Sequence, residues 1–281
     1  MFTCIGHVIM EKVAKKTKQK RSKSLHPSTI FHFTNNEEAF YSILTERRFK
    51  PFLARERITG IGSRRQFAVP MVSFCDIRLS QIDDHTFKYG EFGFGLTKTW
   101  AVKKKLHPVL YMEQGGGLFS NYNKRVRIIK NELLPLWNKR KKLNPTESKL
   151  FNALKDEYSD LYNLLRYMKN YKGKLVRPGE KDDDNYIFAD EKEWRYVPEP
   201  FVGDMWPSLN LERVISYEDK KKFSEGFFDF SINFTLDDIK YILVPDDSYM
   251  LKVINCLSSS DSFDNEFISK ILTMDKVVND F

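Results

Sequence analysis

The chain has 281 residues, which is enough for one large domain or two modest ones. Aromatic residues make up 14% of it, so we expect a well-packed core. The three cysteines are far apart and in no C-x-x-C spacing, which argues against a disulfide framework or a structural zinc site. Apolar runs are far shorter than the ~20 residues that cross a bilayer, so we expect a soluble protein without membrane contact. The cysteine usage fits a reducing cytoplasm.

The net charge of +8 is concentrated at the start of the chain. Residues 1–28 carry seven Lys and Arg residues against one acidic residue, Glu11. The stretch Glu11–His26 has no apolar period and precedes Pro27, so we predict a flexible basic arm over 1–28. This arm is either a solvated tail or a segment whose cations, from Lys12 to Lys23, contact nucleic-acid phosphates.

Residues 29–281 are predicted to form a single α+β domain that begins with a strand and a helix. Ile30–Phe33 has the composition of a strand, and Asn35 or Asn36 is placed to cap a following helix. His32 and Thr34 then lie at the end of the strand, just before the helix N-terminus. Unpaired backbone N–H groups at such a junction favour anionic or phosphate-bearing ligands.

The segment Arg47–Gln66 combines seven cations with the glycine-containing stretch Thr59–Ser63. Arginines beside a glycine loop can clamp phosphates. They can equally form a solvated rim, and no G-x-x-x-x-G-K-[ST] spacing favours the clamp. Both interpretations stay open at this point.

The stretch Val69–Trp100 is the one in which we expect functional groups. Met71–Phe74 reads as a buried strand, and Phe92–Leu96 alternates with small residues as a second strand would. Between them lies a polar bend of the kind that a sheet presents to ligands, with Tyr89 beyond it. The bend contains Cys75, Asp76, Arg78, Ser80, Gln81, Asp83, Asp84 and His85.

A helical insertion is predicted over residues 122–172, between two sheet-forming halves. Helical periods occur in Val126–Lys142 and Thr146–Tyr171. Asn144, Pro145 and Glu147 supply an N-cap, an N1 proline and an N3 acid for the second helix. One apolar stripe is expected on that helix and serves packing; it consists of Leu150, Leu154, Tyr158, Leu161, Leu165 and Met168.

The last third of the chain returns to strand-like patterns. Glu193–Val197 alternates as a strand, Ile239–Val244 is a further strand, and Ser248–Leu257 is a helix. A final amphipathic segment, Phe263–Met274, is predicted to close the domain.

Three patches together suggest a chemistry: His32 with Thr34, the polar bend with Tyr89, and Glu193 with Arg195. A dinucleotide-cleaving transferase needs a His and a hydroxyl to fix a ribose, an aromatic ring to stack on nicotinamide, and a carboxylate to stabilise oxocarbenium-like charge. The alternatives are a structural His32 and an exposed Glu193–Arg195 ion pair. No nucleophile elbow and no metal-binding spacing occurs, so no metal is expected.

These strings together resemble the AbiGi-type family of bacterial abortive-infection proteins. The resemblance covers roughly Ile30 to Leu257 and lies in Phe31–Asn35, Val69–Ile77, Tyr89–Gly90, Gly93–Leu96 and Glu191–Arg195. It implies a role in phage defence, in which a paired toxin and antitoxin arrest the infected cell. The AbiGi-type member is usually labelled the antitoxin.

The His-x-Thr opening is also similar to that of bacterial ADP-ribosyltransferases that act on DNA. That resemblance implies a split mixed sheet that holds NAD, with His32 and Thr34 at ribose-binding positions and Glu193 as the catalytic acid. The chain departs from the pattern because it has no clear match for the arginine-bearing second motif. The helical insertion is also unexpected for that fold.

We therefore predict an α+β fold with a mixed split sheet, flanking helices and the insertion, similar to an ADP-ribosyltransferase. The leading hypothesis is an antiviral effector that uses NAD as substrate, with Glu193, His32 and Tyr89 catalytic. His32, Thr34, Ser73, Tyr89 and Arg195 would bind the cofactor. The alternative is a non-catalytic antitoxin that neutralises a partner toxin by protein–protein binding. Sequence also allows a phage-derived trigger as a partner.

Overall fold

A computed structural model describes residues 26–175, 183–199, 211, 214, 216–258 and 265–280. The basic arm up to residue 25 lies outside the described residues. The strands are β1 (Thr29–Thr34), β2 (Arg48–Phe49), β3 (Phe52–Gly60), β4 (Ser63–Cys75), β5 (Phe92–Thr97), β6 (His107–Pro108), β7 (Leu110–Met112), β8 (Met168–Asn170), β9 (Lys172–Leu175), β10 (Asp183–Ile187), β11 (Glu193–Tyr196), β12 (Ile232–Asn233), β13 (Ile239–Val244) and β14 (Ile271–Thr273). The helices are α1 (Glu37–Glu46), α2 (Asp83–Tyr89), α3 (Lys98–Lys103), α4 (Leu118–Asn138), α5 (Pro145–Leu165), α6 (Tyr217–Glu225), α7 (Asp247–Ser258) and α8 (Met274–Asp280).

Eight of the described strands form one mixed sheet. Its order is β14-β13-β5-β1-β4-β11-β6, and β3 pairs with β4 outside this path. β14 runs parallel to β13, whereas β1, β4, β5, β11 and β13 join their other neighbours antiparallel. An α+β fold with a mixed sheet and flanking helices is therefore confirmed. The likeness of this sheet to an ADP-ribosyltransferase stays a prediction, as does the division of the chain into an arm and one domain.

The glycines of β5 explain why its sequence alternates so strictly. A Cβ atom on Gly95 would come within 2.8 Å of the Phe31 ring, and one on Gly93 within 3.0 Å of the Phe33 ring. These positions must stay empty so that the rings of β1 can lie across β5, its antiparallel neighbour. The alternate residues, Phe94 among them, enter the main core on the other face.

The main core lies between the sheet and helices α1, α3 and α7. Phe40 and Leu44 of α1, Trp100 of α3, and Val253 and Leu257 of α7 are all buried against the strands. The helix α1 begins where the sequence predicts, because the Asn36 side chain accepts a hydrogen bond of 2.8 Å from the Ala39 backbone N–H.

The cation-rich segment Arg47–Gln66 forms a β-hairpin. β3 pairs with β4 from Phe52↔Met71 to Gly60↔Ser63, so only Ile61 and Gly62 make the turn. Gly62 has φ +60, a conformation that glycine adopts without strain. The glycine-containing stretch is thus a tight hairpin turn and not an open phosphate-binding loop.

The predicted insertion is a helical hairpin of α4 and α5. Asn144 caps α5 as expected: its side chain accepts from the Glu147 N–H at 2.9 Å, and the Glu147 carboxylate accepts from the Asn144 N–H at 3.1 Å. The apolar stripe is wrong at both ends. Leu150 is 53% exposed, and Met168 lies in β8 because the helix ends at Leu165.

The predicted amphipathic segment Phe263–Met274 lies in part outside the described residues, which resume at 265. Within it, Ile271–Thr273 forms β14, which adds a parallel strand beside β13, and helix α8 begins at Met274. A short apolar run can form either a helix or a strand. Here Ile271–Thr273 forms a strand because β13 offers it an unpaired edge. No helix in the described part of the chain is long and apolar enough to cross a membrane.

We predict that Phe94→Ala lowers the free energy of unfolding by about 3–5 kcal/mol, since it empties a buried aromatic site. Phe94 is fully buried, and its ring centroid lies 4.9 Å from that of Phe40 and 5.9 Å from that of Phe49. Urea denaturation followed by circular dichroism measures the loss. The control is Leu251→Ala at a position that is 64% exposed, and an equal loss in both variants would contradict this account of the core.

Candidate functional site

A cavity of about 290 Å³ opens where β1, β3, β4, β8 and β11 come together with the end of α2. Its walls are largely aromatic and apolar: Phe31 and Phe33 of β1, and Met71 and Phe74 of β4, face it. Its other wall is densely polar. The cavity therefore combines an apolar surface with a cluster of charges, which is typical of small-molecule sites.

Four of the six residues that the sequence analysis assigns to NAD binding or catalysis line this cavity. They are His32 of β1, Ser73 of β4, Tyr89 of α2 and Glu193 of β11. The pairing of the strands brings them together, because Cys75 of β4 is opposite Phe31 on one side and opposite Glu193 on the other. Residues that are up to 161 positions apart in sequence thus share one small site.

Thr34 and Arg195 are not among the residues that line the cavity. The Thr34 hydroxyl accepts a hydrogen bond of 3.1 Å from the Asn36 backbone N–H, at the start of α1. The Arg195 side chain is fully buried behind Glu193. Thr34 therefore stabilises the start of α1, and Arg195 lies behind Glu193. Either side chain would have to change its conformation to contact a ligand in this cavity.

The Glu193 carboxylate is held by four hydrogen-bond donors. One oxygen accepts from Ser73 Oγ and from Arg195 Nε, both at 2.7 Å. The other accepts from Lys169 Nζ at 2.9 Å and from Arg195 Nη2 at 3.0 Å. Glu193 is only 5% exposed and Arg195 is fully buried. The interpretation of these two residues as an exposed ion pair is therefore wrong, because the pair is buried.

These contacts fix the ionisation of Glu193. Burial opposes its charge, but Arg195 and Lys169 outweigh burial and hold the pKa of Glu193 well below its usual range. Burial likewise opposes the charge of Lys169, whereas Glu193, Glu191 and Glu56 raise the pKa of Lys169 well above its usual value. Both groups are therefore charged at any physiological pH.

Sequence reasoning missed three charged residues of this site: Glu56, Lys169 and Glu191. Arg195 Nη2 also contacts Glu56, and Lys169 Nζ donates to Glu191 at 2.8 Å. Glu191 is two residues before Glu193 in the same string, and Glu56 lies on the same face of its strand as the inward-facing Ala54 and Ile58. Both residues therefore left a weak indication in the sequence. Lys169 left none, because it follows a helix whose end was misplaced.

Tyrosine hydroxyls complete the polar wall. Tyr89 Oη and Tyr186 Oη both donate to Glu191 Oε1, the second at 3.1 Å. Burial and the neighbouring Glu191 raise the pKa of Tyr89 far above its usual value, so its hydroxyl stays a donor. Three carboxylates thus face two cations, Lys169 and Arg195, and the cluster is anionic when all five are ionised.

His32 offers an acceptor to the cavity. Its Nδ1 lies 2.9 Å from the Ser73 carbonyl oxygen, which can only accept, so this geometry assigns the proton to Nδ1. Burial lowers the pKa of His32, and the ring is therefore neutral at pH 7. Nε2 then carries a lone pair. The ring packs edge-on against Phe49, with centroids 5.0 Å apart.

The remaining candidate for a reactive group is the Cys75 thiol. It donates to the Phe31 carbonyl at 3.3 Å, and burial together with nearby carboxylates raises its pKa well above the usual value. A thiol in this state is a poor nucleophile. Among the described residues, no group of three or more His, Cys, Asp or Glu side chains is arranged to hold a metal ion.

We predict that Glu193→Gln lowers the free energy of unfolding by about 3–5 kcal/mol at neutral pH, because it leaves buried cations without their charge partner. An unfolded Glu protonates near a pKa of about 4.3, whereas folded Glu193 stays ionised below that value. Acid therefore favours the unfolded wild type, and the stability difference between wild type and variant should shrink as the pH falls through about 4.

Urea denaturation of both proteins at a series of pH values measures this difference. Glu225→Gln, at an exposed position of α6, serves as the control for an ordinary carboxylate. A difference for Glu193→Gln that stays constant down to acidic pH would show that its folded pKa is not depressed.

Comparisons with known proteins give this cavity a family context. Residues 45–245 match the family model described as "Putative abortive phage resistance protein AbiGi, antitoxin". A relative from Lactococcus lactis subsp. cremoris, named abortive phage resistance protein AbiGi, is 23% identical over 239 residues, which cover 77% of this chain and 90% of that protein. No solved structure matches the chain. The matched span includes Ser73, Tyr89 and Glu193, and the chain belongs to the AbiGi family of abortive phage resistance proteins.

Proposed function

We propose that this phage-resistance protein binds a nucleotide such as NAD in the cavity and transfers or hydrolyses its ADP-ribose. The observation that carries the proposal is the convergence of His32, Ser73, Tyr89 and Glu193 on one cavity. These are the residue types that hold a ribose, contact a base and stabilise positive charge at a sugar carbon. Membership of the AbiGi family supports a role for this proposed activity in anti-phage defence.

Glu193 supplies the electrostatic part of this reaction. The bond between ribose C1′ and nicotinamide nitrogen breaks, nicotinamide leaves with the electron pair, and positive charge develops on the sugar. A permanently ionised carboxylate beside C1′ stabilises that charge. Water or an acceptor nucleophile then bonds to C1′ and gives up a proton.

Binding a sugar requires that Glu193 exchange one of its donors. Arg195 is fully buried and is held by Glu56 and by the Arg166 carbonyl, so it stays in place. Lys169 has a side chain that is 14% exposed and lines the cavity, and it is the donor that a ribose hydroxyl would displace. Its ammonium group keeps Glu191 as a partner after the exchange.

The size of the cavity limits what enters it. About 290 Å³ is at the lower end of ordinary ligand pockets, so one half of a dinucleotide fits inside. The nicotinamide ribose would occupy this space, with His32 Nε2 accepting from a sugar hydroxyl and Tyr89 beside the base. The phosphates would then lie at the rim, where Arg55 is exposed.

We expect isothermal titration with NAD to show saturable binding that His32→Ala weakens about tenfold, which is the usual value of one good hydrogen bond. Thr34→Ala is the matched control, because Thr34 follows in the same strand but does not line the cavity. Release of nicotinamide, followed by chromatography, should fall at least a hundredfold in Glu193→Gln, as when one charge-stabilising group is removed.

Folding must be separated from function in these variants. Ser73→Ala removes a donor to Glu193 without removing a charge, so it should lower turnover while circular dichroism and the melting temperature change little. Absence of heat with NAD, together with absence of nicotinamide release by the folded wild type, would reject the nucleotide proposal.

The second candidate function is a non-catalytic antitoxin, and the description of the family model favours it. In that case the protein neutralises a toxin by binding it. Production of the chain would restore growth to cells that make the toxin of the same system, and Ser73→Ala and Tyr89→Phe would restore it equally well. Loss of protection in these two cavity variants, despite normal folding, would contradict a purely surface-mediated role.

A further inference from the structure

The helix α4 and the turn after it carry a concentration of positive charge that the cavity does not use. Residues 118–142 contain eight Lys and Arg residues and one acidic residue, Glu132. Outside this segment and the arm 1–28, the chain has 31 basic and 36 acidic residues. Within the folded part, α4 is therefore a positive region on an otherwise slightly negative protein.

Most of these cations have no carboxylate partner in the described structure. Arg125 pairs with Glu157 at 2.8 Å, and Lys139 pairs with Glu147 at 2.5 Å. The other six are exposed and form no ion pair with a described residue; they are Lys124, Arg127, Lys130, Arg140, Lys141 and Lys142. These six cations therefore leave a positive surface that the described carboxylates do not neutralise.

One face of α4 exposes two cations and two large apolar side chains at helical spacing. Arg127, Lys130, Leu134 and Trp137 recur at three, four and three residues, and they form what we name the α4 ridge. Leu134 is 49% exposed and Trp137 is 44% exposed. The neighbouring stripe, which includes Ile129 and Leu133, packs against α5. Of the α4 ridge, Trp137 also contacts the Phe151 ring of α5 at a centroid distance of 6.0 Å, and it keeps 44% of its surface exposed.

Trp137 and Arg140 form a stacked pair at the end of this ridge. The Arg140 guanidinium carbon lies 4.9 Å from the centre of the Trp137 ring, and Arg140 Nη1 donates to the Trp137 carbonyl at 3.0 Å. Unstacked bases pack on aromatic rings and on guanidinium planes alike, and neighbouring cations contact the phosphates. We propose that the α4 ridge and the turn Lys139–Lys142 bind single-stranded nucleic acid.

Two other anionic partners fit the surface less well. An interfacial helix inserts a continuous apolar face into lipid, but the continuous apolar face of α4 is buried against α5. The phosphates of a duplex could contact the cations, but its bases are stacked on one another and are not free to stack on Trp137 or Arg140. An acidic polypeptide would satisfy the cations alone, and it remains as an outcome of the test.

The test uses the full chain with labelled oligouridine and oligothymidine, a duplex of equal length, polyglutamate and phosphatidylserine vesicles. The triple variant Arg127→Gln, Lys130→Gln, Lys141→Gln should bind single strands about tenfold more weakly at moderate salt. The slope of log affinity against log salt should fall by about 2 when three phosphate contacts are lost. The matched control removes the exposed cations Lys103, Lys221 and Lys222, which lie on α3 and α6.

A second readout separates this surface from the basic arm. Binding of a single strand should change tryptophan fluorescence, and Trp137→Phe should reduce that change, because Trp137 is 44% exposed on the α4 ridge whereas Trp100 is 1% exposed and Trp194 is half-buried in β11. The proposal is overturned if the triple variant matches the control triple. It is also overturned if the variants weaken only the binding of vesicles or polyglutamate, or if duplex binds as tightly as single strands with the same sensitivity to Trp137→Phe.

Discussion

The fold depends on one buried guanidinium. Arg195 is fully buried in β11, and its three nitrogens reach Glu193 on its own strand, Glu56 on β3, and the carbonyl of Arg166 just after α5. A buried charge without partners is far more costly than an unmade surface contact, so these elements are tied to one arrangement. The sheet, the β3–β4 hairpin and the end of the helical insertion therefore share a single point of attachment.

The same constraint gives the cavity its character. Glu193 neutralises Arg195 on one side and faces the cavity on the other, where Lys169 links it to Glu191. Any ligand that reaches Glu193 enters a network whose members are already paired. It must replace a hydrogen bond as good as the one it displaces, which favours ligands with hydroxyl groups over purely apolar ones. Stability and ligand selection are consequently set by the same side chains.

Local patterns predicted what local physics determines. The capping of α5 by Asn144, the alternation in β5 and the strand β1 all follow from a few neighbouring residues, and the structure has them. The end of α5, the strand β14 and the position of Lys169 depend on distant elements instead. Met168 continues the helical period yet pairs in β8 with Leu110 of β7, because an available strand partner outweighs helical propensity there.

The candidate site shows the same division. His32, Ser73 and Glu193 could be chosen from sequence because polar residues stand out beside strand-like runs. That Arg195 lies behind the cavity wall, and that Glu56 faces it from another strand, could not be inferred, because a sequence does not state which strand pairs with which.

The distribution of charge argues that the protein carries two chemically separate surfaces. The cavity wall combines the carboxylates of Glu56, Glu191 and Glu193 with the cations Arg55 and Lys169, whereas α4 and its turn have eight cations against one acid. An extended polyanion matches the positive charge of α4, and none of the α4 ridge residues lines the cavity. A compact ligand whose reacting part is cationic or neutral suits the cavity, and an extended polyanion suits the helix. Under the two proposals, the cavity and the α4 ridge therefore bind chemically different molecules.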